Sequence, residues 1–83
     1  MAVLAYVLVT LNPGTEDGIL KKISYLEEVK RVSMMYGEYD ALLHISANTL
    51  DQLNTFLTDK LRSLPDIFQT ATLIVAKTHR SSN

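Results

Sequence analysis

The stretch MMYGEYDALLHI, residues 34–45, sets a glycine and two charged residues between apolar runs. Its reading decides the fold. Upstream, EEVKRVSMMY (27–36) alternates as a strand, with Val32, Met34 and Tyr36 on one side and Val29, Arg31 and Ser33 on the other. Downstream, YDALLHISA (39–47) reads as a second strand. Gly37-Glu38 between them fits a two-residue type II′ turn, whose first position demands a positive φ and therefore favours glycine. An antiparallel hairpin is predicted.

Working outward, AVLAYVLVTL (2–11) is dense in Val, Leu and Tyr without helical spacing, which suggests a strand buried on both faces. NPGTEDG (12–18) breaks it. Ile19, Leu20, Ile23 and Leu26 then recur at helical spacing, with Glu16 and Asp17 in the first turn, where carboxylates suit the positive end of the helix dipole. After the hairpin, Thr49 and Gln52 have capping-box spacing, and Leu50, Leu53, Leu57, Leu61 and Leu64 form the stripe of a second helix that Pro65 ends. IFQTATLIVAK (67–77) is a last strand, and residues 78–83 are a polar tail with nothing to bury. Ile19, Ile23, Leu26 and Val29 echo Leu57, Leu61, Leu64 and Ile67 at a constant offset of 38. The order is β-α-β-β-α-β. With right-handed crossovers both helices fall on one face of a four-stranded antiparallel sheet, a ferredoxin-like α+β sandwich spanning residues 1–77.

Composition bounds the function. A chain of 83 residues, 47% apolar, has room for one core. The net charge of −1 and a pI near 6.0 disfavour a phosphate backbone as the main partner. Without cysteine there is no disulfide framework and no thiolate site. The opening lacks a basic segment ahead of its apolar run, and no run approaches the roughly 20 apolar residues of a membrane span. A cytoplasmic protein with neither membrane nor direct nucleic-acid contact is expected.

One face of the sheet lacks a cover. Both helices lie on the other face, yet Leu4, Tyr6 and Leu8 are as apolar as the Val3, Ala5, Val7 and Val9 set they alternate with. Four strands make a face on the order of 500 Å² in projection, large for a monomer. A homodimer packed sheet to sheet is therefore expected. Leu42 shares that face with His44 and Ser46, polar groups that would need partners in the interface.

A strand AYVLVTL followed by NPG, then MMYGEYDALLHI, a Leu-rich helix ending at proline, and a final TATLIV together resemble the effector-binding (RAM) domain of the Lrp/AsnC transcription regulators. The resemblance runs from Ala2 to about Lys77, and its most specific part is Gly37-Glu38-Tyr39-Asp40. The helix-turn-helix domain of those regulators has no counterpart here, which is the pattern of a stand-alone module.

The resemblance implies dimers that assemble further, often four in a ring to give an octamer, with a small amino acid bound near the Gly-acidic-aromatic-Asp turn. It also implies joining full-length Lrp/AsnC regulators through the shared interface. A free amino acid needs a fixed anion for its ammonium and N–H or hydroxyl donors for its carboxylate. Asp40 is the expected anion. Gly37 allows close backbone approach, Thr70 and Thr72 offer hydroxyls, and Met34 and Tyr39 line the side-chain pocket. No cofactor, metal or catalytic residue is implied.

Plainer readings stand beside these. Gly37-Glu38 serves equally as a bare turn, Asp40 as a turn residue accepting backbone hydrogen bonds, Thr70 and Thr72 as strand formers, and Met34-Met35 as packing. Lys21-Lys22 and Lys30-Arg31 read as solvated charges balanced by Glu27 and Glu28. His44 supports an alternative, a small dimeric enzyme using that histidine, against its reading as a satisfied interface residue. No second ligand-type side chain sits at metal spacing around it. RNA recognition on this topology would need aromatics on the first and third strands, and the third has none.

Overall fold

The computed structural model describes residues 2–82. Met1 and Asn83, the outer ends of the domain and tail expected from the sequence, lie outside the described residues. Strand β1 (Val3–Leu11) leads to helix α1 (Glu16–Ser24), strands β2 (Val29–Met34) and β3 (Ala41–Ala47), helix α2 (Leu50–Thr55) continuing into a π-helical segment (Phe56–Leu61), and strand β4 (Ile67–Ile74). The four strands form one antiparallel sheet in the order β2-β3-β1-β4. This is the ferredoxin-like βαββαβ topology.

Period-two alternation in β1 sorts its side chains between two environments. Ala5, Val7 and Val9 stand opposite Ile45, Leu43 and Ala41, and all six are buried under the helices. Ile19, Leu20 and Ile23 of α1 and Leu53, Phe56 and Leu61 of the second helical stretch close this core from above. Each fully buried aliphatic side chain here contributes about 1.5–3 kcal/mol relative to exposure.

The second helical stretch departs from the predicted stripe. Leu50 is exposed, while Phe56 and Leu61, five apart, are both buried. Five residues of α-helix turn through about 500°, leaving two such side chains on nearly opposite sides. A wider π-helical turn brings both onto the core. Capping does follow the sequence: the Gln52 N–H donates to Thr49 Oγ1 at 3.1 Å, and Gln52 Oε1 accepts from the Asn48 N–H at 2.6 Å.

The hairpin corrects three expectations. β2 and β3 are shorter than the runs 27–36 and 39–47. The connection is no two-residue turn: the Met35 N–H donates to the Asp40 carbonyl at 2.9 Å, enclosing a four-residue loop, Tyr36 to Tyr39, that carries Gly37 at φ 127°. Strict alternation in β2 is also broken. Val29 pairs with Ile45 and Arg31 with His44, so Lys30 is an extra residue, a bulge that turns both Val29 and Val32 toward the helices.

Glu28 is not a solvated charge. Its side chain is 3% exposed, and its carboxylate receives Lys60 Nζ at 2.9 and 3.0 Å and Gln52 Nε2 at 3.4 Å. Burial pushes this carboxyl up. The Lys60 ammonium, the residue's own backbone N–H and Gln52 outweigh that, holding it below the ordinary carboxylate range. The clamp ties the π-helical segment to the chain entering β2.

On the far side of the sheet, Leu4, Tyr6 and Leu8 stand opposite Ser46, His44 and Leu42, with Leu73 and Ala71 of β4 beyond Tyr6 and Leu8. Leu4, Tyr6 and Leu73 are 45%, 40% and 58% exposed. The molecule measures 40 × 31 × 19 Å, and its accessible surface of 5951 Å² exceeds the value expected for 9.3 kDa. That expectation is about 5,000 Å². Part of the excess is the exposed run 76–82, and part is this uncovered sheet face.

Candidate functional site

The hairpin loop is anchored to β1 through Asp40. As the chain leaves the loop for β3, the Asp40 N–H donates to the Val9 carbonyl at 2.8 Å, and Asp40 Oδ2 accepts from the Leu11 N–H at 2.7 Å. Val9 and Leu11 present these groups on the same edge of β1, two residues apart, as strand geometry requires. One carboxylate oxygen is thereby committed to the fold. Oδ1 has no partner among the described residues.

Thr70 lies across β1 from this anchor. Val9 pairs with Ala41 on one side and Thr70 on the other, so Ala41 and Thr70 are two strand spacings apart, about 10 Å. Thr72 pairs with Val7, one pleat repeat further along. Both threonines share the helix-side face of the sheet, but β4 is an edge strand, and Thr70 is half-buried while Thr72 is exposed. Met34 pairs with Ala41 and borders a groove of about 200 Å³ with Met35 and Tyr36. Tyr39 is half-buried beside Asp40, and Tyr36 is fully exposed.

Met34, Gly37, Tyr39 and Asp40 thus come together as one loop and its flanks. Thr70 borders a different groove, of about 390 Å³, with Arg62, Ile67, Phe68 and Gln69. Asp40 and Thr70 share one end of the sheet with a strand between them. The contacts that sequence reasoning missed are the backbone groups of Val9 and Leu11, because no local pattern reveals a hydrogen bond spanning 29 residues. Glu28 was missed for a similar reason: its partner Lys60 is 32 residues away.

His44 stands on the open face, edge-on to Tyr6 with ring centroids 5.1 Å apart and planes at 77°. Such a T-shaped pair aligns a ring edge with a π face. It is on the opposite side of the sheet from the helices.

The chain matches the family model described as the Lrp/AsnC ligand binding domain over residues 4–83. It is 31% identical over 81 residues to the HTH-type transcriptional regulator FL11 of Pyrococcus abyssi, covering 98% of this chain and 53% of that protein. The chain therefore spans about half the length of the curated relatives of this kind that it matches. Among solved structures it is similar to the hypothetical protein PHS023 from Pyrococcus horikoshii, with TM-score 0.85, 33% identity and 98% of each chain covered. It shares its fold with E. coli AsnC, at TM-score 0.89, 23% identity, and coverage of 98% of this chain and 55% of that one. No described helix is long and apolar enough to cross a membrane. A match over nearly the whole sequence, on the fold that the sheet order and the anchored loop display, places this chain in the Lrp/AsnC ligand-binding domain family.

Proposed function

We propose that this domain is a non-catalytic amino-acid-binding module that works as an assembly of copies and modulates Lrp/AsnC-type transcription regulators or amino acid metabolism in the cytoplasm. The observation that carries the reading is the Asp40 carboxylate, held at the mouth of the hairpin loop with Oδ2 accepting from the Leu11 N–H and Oδ1 without a partner among the described residues. A carboxylate fixed in this way is preorganised for an ammonium. Gly37 at φ 127° keeps the loop backbone free of a Cβ where a ligand approaches.

One chain supplies only part of the site, since Asp40 and Thr70 are separated by β1, and Thr70 borders a groove that Asp40 does not line. A second copy packed on the uncovered face, through Leu4, Tyr6 and Leu73, forms the dimer, and dimers assemble further to an octamer. The amino acid bridges copies near Gly37, Tyr39 and Asp40, with Met34, Thr70 and Thr72 contributing around it. Binding one assembly better than another is what makes such a ligand a signal. Full-length family members join through the same interface. His44 belongs to the dimer face beside Tyr6, and no catalysis is assigned to it.

Calorimetric titration with each of the twenty amino acids tests the reading, with any hit repeated on Asp40→Asn. That variant keeps an oxygen acceptor for Leu11 and removes the charge. Selective heat lost in the variant supports the site. Silence across the panel on the intact assembly, or a hit unaffected by the substitution, overturns it.

A further inference from the structure

A single row of residues crosses the uncovered face of the sheet. Arg31 of β2 pairs with His44 of β3, His44 with Tyr6 of β1, and Tyr6 with Leu73 of β4. Paired residues on antiparallel strands point to the same side, so these four side chains stand together on that face. His44 is half-buried on an inner strand, with the Tyr6 ring edge-on to it at 5.1 Å. It also borders a shallow groove of about 170 Å³ with Leu4, Tyr6, Lys30 and Ser46.

The charges around this imidazole have one sign. None of the four strands contains an aspartate or a glutamate. From β2, Arg31 and the bulged Lys30 face His44; from β1, Tyr6; along β3 itself, Leu42 and Ser46; and β4 adds only Leu73 beyond Tyr6. The acids nearest in the chain are held elsewhere: Glu28 by Lys60 and Gln52 of the second helical stretch, and Asp40 by the Leu11 N–H. Glu27 is exposed ahead of β2, where its carbonyl accepts from Lys30 Nζ at 3.1 Å. Arginine and lysine donate hydrogen bonds and accept none. Their company suits a neutral imidazole, which has an acceptor nitrogen, and opposes an imidazolium, which has none.

A second copy laid on this face brings the same groups with it. Two such faces, each on the order of 500 Å² in projection, bury roughly 1,000 Å² together, about the least that a specific interface uses. In a two-fold pairing the partner offers the identical surface, whose strands again hold no carboxylate. His44, in the interior of that surface, loses water when it is covered. A charge taken out of water needs a counter-charge, and neither copy supplies one.

We propose that His44 makes the sheet-to-sheet dimer sensitive to pH: the faces close on the neutral imidazole, and its protonation beside Arg31 and Lys30, with no strand carboxylate from either copy, separates them. The inference rests on the dimer described under the proposed function and adds the condition under which it forms. Its sign follows from linkage, since the dimer is the state that binds fewer protons and association therefore weakens as pH falls. Histidine changes charge between about pH 5 and 8, above the range in which the Glu28 clamp is lost.

The test is sedimentation equilibrium of the parent protein, His44→Gln and His79→Gln at about pH 7.5, 6.5 and 5.5 and constant ionic strength. Two imidazoles that must each shed a proton raise a dissociation constant by up to about 100-fold over that span. A rise of about 30- to 100-fold is expected for the parent and for His79→Gln, and a change below about threefold for His44→Gln. Dilution calorimetry of the parent near pH 6, in two buffers of different ionisation enthalpy, reads the same linkage without a variant and decides the matter if His44→Gln fails to associate: dissociation takes up about one to two protons per dimer. A dissociation constant that ignores pH, a rise that persists in His44→Gln, a rise lost in His79→Gln, or no proton uptake on dilution overturns this proposal and leaves the dimer standing. A parent protein that is monomeric at the highest pH overturns the dimer itself and this proposal with it.

Discussion

The carboxylate of Asp40 accepts a hydrogen bond from the backbone N–H of Leu11, Oδ2 to N 2.7 Å, joining the mouth of the hairpin loop to the end of β1. Asp40 is thereby a structural anchor through one oxygen, while its other oxygen has no partner among the described residues. Asp40→Ala removes the acceptor and leaves a part-buried N–H without its partner, a loss of about 1–3 kcal/mol. For a domain of this size that lowers Tm by about 4–8 °C per kcal/mol. Asp40→Asn retains an oxygen and loses less, and thermal unfolding of the two variants side by side measures the difference.

The Glu28–Lys60 clamp makes stability depend on acid. Because the folded carboxyl titrates below the unfolded value near 4.5, its contribution is fully present above that pH and disappears as pH falls through the lower folded value. Lys60→Ala removes the main contact opposing burial, so the Glu28 carboxyl moves up and the variant loses less stability between pH 5 and 3 than the parent does. At neutral pH it is destabilised by about 1–3 kcal/mol, toward the lower end because Lys60 is 40% exposed. Denaturant melts across that range check both signs.

Lys30 acts through its place in the chain. Lys30→Ala leaves the bulge in place and changes stability by less than about 0.5 kcal/mol, as an exposed site should. Deleting the residue brings Val29 and Val32 two positions apart, so regular alternation keeps both on the core without the bulge, and the cost stays below the about 1.5–3 kcal/mol of exposing one aliphatic side chain. A deletion that costs that much would remove the bulge from the account.

Tyr6 and Leu73 are neighbours on the uncovered face, opposite each other on β1 and β4. Sedimentation velocity of the parent protein is expected to show a dimer or larger assembly at micromolar concentration, and Tyr6→Glu with Leu73→Glu to show a monomer with an unchanged circular dichroism spectrum. A parent protein that sediments as a monomer would return this face to solvent.

Much of the molecule was legible in the order of its residues. Val, Leu and Ala alternating along β1, the Ile19–Ile23 stripe, the Thr49–Gln52 cap and the glycine between two apolar runs each act within a few residues of chain, and local geometry obeys them. These sufficed for the element order and, with the handedness of crossovers, for the topology. Gly37-Glu38-Tyr39-Asp40 marked the loop and the family.

What only the tertiary structure decided are the contacts made by residues far apart in sequence. Nothing near Lys30 announces a bulge, since it arises from the need to bury Val29 and Val32 together against β3 and the helices. The π-helical turn follows from burying Phe56 and Leu61 on one core that neither residue defines alone. Glu28 reads as one more surface carboxylate until the second helix brings Lys60 and Gln52 over it. Asp40 reads as a turn residue until β1 lies alongside and offers Leu11. Local pattern specifies elements because their periods are set by backbone geometry; partners across 29 or 32 residues are set by packing.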